Sequence, residues 1–376
     1  MIYLDSAATT QIEPEVLDEM INYLKNHYGN PSSKYYPEAI HAQNALSNSR
    51  KSVANLLGTL PEFVVFTSGA SESNNFIIKG IAEKYSSKGR HIITSKIEHK
   101  SILETCKHLE KNGYEITYLT VDSDGFVDIN ELTTSIRKDT ILVSVMWVNN
   151  EIGTINDIET ISSICRSKNV LFHTDATQAV GKLEIDLSKL PVDFLSFSAH
   201  KIYGPKGIGA AYIGPDELGL RYKLPSLIHG GSQEFKMRAG THAMHDIVGF
   251  GKACEVALRD MDDYVMSLVN FENKFTKILK MRIPEIKFLG SQQKKVPGLL
   301  SISIPGINNE LFCKQISSNY SISTGSACTI NEGSYVIDSI SHTESDYFRI
   351  SIDKYIVKTI SISDLVNIIT NIANRI

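Results

Sequence analysis

The chain lacks any apolar run near the ~20 residues needed to cross a bilayer, so no spanning helix is expected. Its first residues, Met1-Ile-Tyr-Leu-Asp-Ser-Ala-Ala-Thr-Thr10, lack the basic stretch and apolar core of a secretory leader. Cysteine is sparse: five among 376 residues, with no CxxC pair and no Cys/His ligand spacing. That excludes a disulfide framework and a structural zinc, and it suits free thiols in a reducing cytoplasm, the expected location. A large excess of either charge is missing too, since 38 Lys and Arg against 42 Asp and Glu leave a net −4. The basic clusters, such as Lys294-Lys295, are short. No nucleic-acid-coating or membrane-surface role is expected of such a balance. Internal repeats and low-complexity linkers are also absent. What remains is an ordinary globular composition, long enough for a large core and two domains.

From about residue 60 to residue 215, short apolar runs alternate with amphipathic stretches. The runs predict strands at Phe63–Phe66, His91–Thr94, Ile116–Thr120, Ile141–Val145, Val170–Thr174, Phe194–Ser198 and Gly209–Ile213. Between two of them, Ile158, Ile161, Ile164 and Cys165 mark one face of a helix. Alternating strands and helices predict an α/β fold with a mostly parallel sheet of seven strands, covered on both faces. After Gly249 the texture changes. A long helix from about Ile247 to Met281, a strand near Leu299–Ile304 and helices near Glu310 and Ser363 predict a smaller α+β domain. Residues 14–249 are therefore expected as a large domain. Residues 1–13, an extended arm before a helix near Pro14, would join 250–376 in the small one.

The chemistry-bearing residues stand just after predicted strands, where open α/β sheets bind ligands. Thr67-Ser-Gly-Ala70-Ser71-Glu-Ser-Asn-Asn75 leads into a helix. Its small residues suit either a phosphate cradle at the helix N-terminus or a plain Ser-capped turn. In His173-Thr-Asp175-Ala-Thr-Gln178 a carboxylate ends a buried strand. It needs a cation or strong hydrogen bonds there, and a pyridinium nitrogen would serve. Otherwise it is a helix cap. In Ser198-Ala-His200-Lys201, a lysine ends the next strand, 26 residues on, placed to form a Schiff base. Four cysteines, Cys106, Cys165, Cys254 and Cys313, have helical surroundings, where the residue is an inert apolar filler. Cys328 alone lies in a polar, non-periodic stretch, Thr324-Gly-Ser-Ala-Cys328-Thr329, which suits a reactive thiol.

These motifs, in this order, resemble the NifS-like cysteine desulfurases, class V aminotransferase-type enzymes dependent on pyridoxal phosphate (PLP). The likeness extends over nearly the whole chain. It includes Tyr3–Thr10, Gly29–Ser33, Glu98-His99-Lys100, Val148-Asn-Asn150-Glu-Ile-Gly153, Arg238-Ala-Gly-Thr241, Ser323–Cys328 and Phe348-Arg349-Ile-Ser351. It implies a fold type I PLP-dependent transferase in which Lys201 binds PLP covalently and Asp175 pairs with the ring nitrogen. His99 would stack on the ring and share in proton transfer. Asn150 and Gln178 would lie near the phenolic oxygen, and Ala70, Ser71, Ser198 and His200 would hold the phosphate. Thr241 would reach the phosphate of a neighbouring subunit, so a homodimer is implied. Arg349, with Asn150, would bind the substrate carboxylate. Cys328 would take sulfur from L-cysteine as a persulfide, leaving alanine, and pass it to an acceptor protein, an iron–sulfur scaffold or an RNA or DNA thiolation enzyme. No metal is implied.

Three departures accompany the resemblance. Phe235 and Lys236 stand where the family has Arg and Gly, and Asp353 stands where it has Gly. The stretch from Cys328 to Arg349 is short, and no tail follows Ile376. The last suggests a dedicated sulfur donor with its own partner. The alternatives are a selenocysteine lyase, a class V aminotransferase, or a non-enzymatic scaffold that recruits sulfur carriers. Product assay separates the enzymes, and bound chromophore excludes the scaffold.

Overall fold

The computed structural model describes residues 1–324, 334–341 and 347–375. Seven strands form one sheet, in the spatial order Val64–Thr67, Gly209–Ile213, Phe194–Ser198, Leu171–Asp175, Thr140–Ser144, His91–Ser95 and Glu115–Leu119. Gly209–Ile213 runs antiparallel to both its neighbours, and every other pairing is parallel. The seven expected strands are all present, each within a residue of its predicted bounds. The strands, the edge strand Val64–Thr67 included, are buried along almost their whole length because helices cover both faces. The edge strand Glu115–Leu119 is the exception, half exposed on its open side.

The flanking helices follow from spacing. In Lys100–Glu110 the buried residues are Ile102, Thr105, Cys106 and Leu109, a stripe at helical period, and His99 caps its N-terminus. In Ile158–Ser167 the buried stripe is Ile158, Ile161, Ser162 and Cys165, capped by Asp157. Two packed clusters lie on the faces of the large sheet.

A further cluster gathers Leu4, the strands Leu299–Ser303 and Phe348–Ser351, and the helices Asn309–Ile316 and Ile362–Ala373. Leu299–Ser303 pairs antiparallel with Phe348–Ser351 on one side and Lys287–Leu289 on the other. The N-terminal arm joins these elements: Ile2–Tyr3 pairs in parallel with Tyr320–Ser321, and Asp5 bridges to Ser351. One helix, Met244–Arg282, serves both cores. Its first turns, from Met244 to Cys254, pack under the large sheet, while Tyr264, Leu268, Phe271, Phe275 and Leu279 pack in the second cluster. Among the described residues no helix is long and apolar enough to cross a membrane, and no cluster of potential metal ligands occurs.

Candidate active site

A cavity of about 250 Å³ opens at the carboxyl ends of the parallel strands. Its wall brings together Ala70, Ser71, His99, Asn150, Asp175, Gln178, Ser198, His200, Lys201 and Arg349, ten of the twelve residues singled out from sequence. Thr241 is exposed and does not line it, and Cys328 lies outside the described residues.

Asp175 is the last residue of its strand and is buried. One carboxylate oxygen accepts from Asn74 Nδ2 at 2.8 Å and the other from the Thr177 N–H at 2.9 Å. Asn74 also donates to Ser101 Oγ at 2.8 Å, and Ser101 Oγ lies 2.8 Å from His99 Nδ1. The Ser101 N–H donates to the same Nδ1 at 3.2 Å. An Nδ1 that accepts a backbone N–H carries no proton, so the neutral His99 ring holds its proton on Nε2. A hydrogen-bonded chain thus fixes Asp175 and His99 relative to each other. Asn74 went unassigned from sequence, although it lay within the Thr67–Asn75 run. The available signal was a polar residue on an apolar helical stripe, with Ala70, Ser73, Ile77, Ile78 and Ile81.

The neighbouring end of the sheet gathers the residues expected to meet a phosphate. Thr67, Gly209 and Ser198 are aligned in register across three strands. Gly69 then turns the chain, at a left-handed φ of 149°, into helix Ala70–Lys84. Ser198 Oγ accepts from the Ala70 N–H at 2.7 Å, so strand end and helix start are tied together. Gly209 must be glycine: a Cβ there would stand 2.5 Å from Phe197 O and 2.6 Å from Gly69 Cα. His200, whose Nδ1 lies 3.1 Å from Thr9 Oγ1, completes this wall. Burial, with the charges of Lys201 and Lys206, pushes its pKa down to about 4, so the ring is neutral at physiological pH.

Lys201 ends a single 3₁₀ turn after strand Phe194–Ser198. Its ammonium donates to the carbonyls of Ala7 and Ala8, at 2.5 and 2.6 Å, so the N-terminal arm closes over it. Arg349, on strand Phe348–Ser351, is buried. It donates to Asn150 O at 2.9 Å and is paired with Asp5 at 2.7 Å. Neither Asp5 nor Ala7 and Ala8 drew attention as site residues from sequence, because 344 residues separate Asp5 from Arg349.

Three buried polar atoms on this wall have no partner among the described residues: Asn150 Oδ1, Thr177 Oγ1 and Arg349 Nε. Buried polar atoms are nearly always paired, so orphans gathered on one cavity mark ligand contacts. An acid between two donors, a lysine on the same wall, an aromatic ring and a helix start with small residues are the donor set that a pyridine bearing an aldehyde and a phosphate needs. The residues present fit PLP.

The four helical cysteines are where their surroundings predicted. Cys106, Cys165 and Cys254 are buried, and Cys313 is partly so. Burial pushes Cys106, Cys165 and Cys313 to about 12 and Cys254 well above its ordinary value. None is a nucleophile at neutral pH.

Two of the departures also resolve. Glu234, Phe235 and Lys236 all adopt left-handed backbone, with φ of 43°, 61° and 67°. Lys236 therefore occupies a conformation natural to the glycine it replaces, at a cost of about 1–3 kcal/mol for such a residue. Glu234 offsets the strain with two hydrogen bonds from Arg50, at 2.7 and 2.6 Å, and one from the Phe66 N–H at 2.8 Å. The Phe235 ring lies 3.7 Å from the Arg221 guanidinium. Asp353 is not in the left-handed region, and its carboxylate accepts from the Tyr355 and Ile356 N–H groups. It caps the following turn without needing a glycine.

The family model for class-V aminotransferases matches residues 2–358, and the chain belongs to that family. Within it the resemblance to cysteine desulfurases is close. Cysteine desulfurase IscS of Buchnera aphidicola is 46% identical over 343 residues, covering 90% of this chain and 84% of that one. Among solved structures, a NifS-like protein superposes with a TM-score of 0.90 at 35% identity, covering 100% of this chain and 98% of its own. A structure described as SspA in complex with cysteine matches at a TM-score of 0.80 and 36% identity, covering 94% and 99%.

Proposed function

We propose that this chain is a PLP-dependent cysteine desulfurase that moves sulfur from L-cysteine to Cys328, leaving L-alanine. The observation that carries the proposal is the convergence of Asp175, His99, Lys201 and Arg349 on one cavity whose orphaned polar atoms call for a ligand.

When bound, PLP supplies an electron sink that loosens the substrate Cα–H bond. Asp175, held by Asn74 and the Thr177 N–H, would pair with the ring nitrogen. Ser71, Ser198 and neutral His200, with the helix start at Ala70, would hold the phosphate, and Lys201 would bind the cofactor covalently and could carry a proton at Nζ. His99 would lie against the ring, with Nε2–H toward the reacting groups, and Asn150 and Gln178 would serve the phenolic oxygen. Arg349, whose Nε is unpartnered, takes the cysteine carboxylate in its planar fork, with Asn150 beside it. The Cys328 thiolate attacks the substrate sulfur. The C–S electron pair passes to the substrate carbon, a proton follows it, and the products are a persulfide and alanine.

Ser323 exchanges backbone hydrogen bonds with Arg349. Cys328 is five residues farther along, a reach of at most about 18 Å, so contact with the substrate is within the chain's compass. A homodimer belongs to the same proposal. The exposed Thr241 follows Arg238, which is paired with Glu72 on the cradle helix at 2.9 Å. The nearby Leu227, Ile228 and Phe235 are apolar and exposed, as an unpartnered interface would be. So does the division into a cofactor domain, 14–249, and a small domain, 1–13 with 250–376, that carries Arg349 and Cys328. The acceptor would be a protein, an iron–sulfur scaffold or a thiolation enzyme, in the cytoplasm.

The test is product analysis. Protein loaded with PLP and given L-cysteine and a thiol reductant should release alanine and sulfide in equal amounts. Consumption of cysteine only when a keto acid is supplied would make it an aminotransferase instead.

A further inference from the structure

Beneath the cavity floor lies a second lysine. Lys182 follows Asp175 by seven residues, just after the turn at Gly181, and is partly buried. Its ammonium donates to Gln178 Oε1 at 2.7 Å and to no carboxylate among the described residues. The neighbouring charges are two other cations, Lys201 and Arg349, with Asp260 and Lys354 on the wall of a small adjoining cavity. Burial, then the charges of Lys201 and Arg349, push its pKa down to about 7. A lysine so placed is expensive to keep, and no ion pair of its own among the described residues offsets the cost.

Its geometry gives a reason. A carboxamide has an acceptor end and a donor end of nearly equal shape, and only its partners decide which way it points. Gln178 is buried and lines the cavity. Its Nε2 donates to Ala7 O at 3.0 Å, and Ala7 O also accepts from Lys201. A carbonyl accepts only, and below about pH 7 the Lys182 ammonium donates only. Together they hold Gln178 with Oε1 turned down to Lys182 and its NH₂ turned toward Ala7. Without Lys182, the flipped amide would lose one partner instead of two, and the orientation would be far less secure.

We propose that Lys182 is a positioning residue that locks the Gln178 carboxamide so that its NH₂ end, not its oxygen, faces the cofactor cavity. This rests on the PLP reading, in which Gln178 serves the phenolic oxygen. An N–H beside that oxygen stabilises its negative charge, and an amide oxygen in the same place repels it. Losing the N–H leaves the phenolic charge to hold the proton on the Lys201-linked nitrogen more tightly. The pH at which that proton leaves must rise.

The experiment is a spectroscopic pH titration of the near-visible absorbance of the PLP-loaded protein. It compares wild type with Lys182→Met, Lys182→Arg, Gln178→Leu and the Lys182→Met/Gln178→Leu double variant. Gln178→Leu is expected to raise the midpoint by about one pH unit, and Lys182→Met by a smaller margin because Ala7 O still favours the NH₂ orientation. Lys182→Arg, still a donor, should return it to the wild-type value. The double variant should match Gln178→Leu alone, because a residue acting through another adds nothing once that other is gone. A Lys182→Met midpoint equal to wild type overturns the proposal. So does a double variant in which Lys182→Met still adds its full shift, which would mean the ammonium acts directly. If Lys182→Met does not fold, Lys182→Ala, which removes the donor without filling its space, carries the test, and an unchanged midpoint overturns the proposal. A wild type with no absorbance that borohydride fixes to Lys201 defeats the PLP reading itself, and this inference with it.

Discussion

Replacing Glu234 by Gln should unfold the strained turn that leads to Thr241. Glu234 is buried between Arg50, His242 and the Phe66 N–H. Burial alone would raise its pKa. The hydrogen bonds from Arg50 and His242, the charge of Arg50 and the Phe66 N–H outweigh burial and hold it down at about 2. Against an ordinary glutamate near 4.5, that depression corresponds to about 3 kcal/mol of folding stability at pH 7, in line with breaking a buried pair. The sign follows from linkage. A depressed carboxylate stabilises the fold above its unfolded pKa, and the gain is lost as pH falls from about 4.5 toward about 2. Glu234→Gln should therefore be less stable than wild type by about 3 kcal/mol at pH 7 but only by about 1 kcal/mol at pH 3, where the native carboxylate is already losing its advantage. Urea unfolding at the two pH values, followed by far-ultraviolet circular dichroism, measures both differences. Equal stabilities at pH 7, or a gap that persists undiminished at pH 3, would show that the carboxylate does not support the turn.

Lys201→Ala should abolish turnover, and borohydride should no longer fix any cofactor to the protein; retained covalent cofactor would defeat the Schiff-base assignment. Sedimentation at micromolar concentration should show a homodimer, with an interface above roughly 2,000 Å² as obligate dimers have. A fully active monomer would contradict the role given to Thr241. Thr241→Val should weaken PLP binding, measured by loss of chromophore on dialysis, while leaving the apoprotein folded. Cys106→Ala, Cys165→Ala, Cys254→Ala and Cys313→Ala should each keep full turnover and differ from wild type only in thermal stability.

Much of this architecture is legible in the sequence because each strand is a short apolar run closed by a turn. Phe194–Ser198 and Gly209–Ile213 match to the residue, since Ser, Gly and Pro bound them sharply. The antiparallel direction of Gly209–Ile213 was not legible, because its five buried residues read the same either way. Ten cavity residues were found because they cluster at strand ends within local motifs. The supporting partners were not. Asn74 and Ser101 look like ordinary helix residues until the helices Ala70–Lys84 and Lys100–Glu110 are seen side by side. Asp5 reaches Arg349 only because the N-terminal arm pairs with the far end of the chain. Lys182 reads as a surface charge after a glycine, and nothing local reveals the two cations beside it.

The central claim is that Cys328 accepts the sulfur, and one measurement bears on it most directly. Wild type loaded with PLP and briefly exposed to L-cysteine should carry one extra sulfur on the peptide containing Cys328, read by mass spectrometry. Cys328→Ser should keep the chromophore, because Lys201, Asp175 and the phosphate cradle remain. It should nevertheless lose the extra sulfur and fall to a small fraction of the wild-type rate of alanine formation, since a hydroxyl is a poor nucleophile toward sulfur and cannot store it. A serine variant that forms alanine at the wild-type rate, or a wild-type persulfide found on another cysteine, would contradict the account.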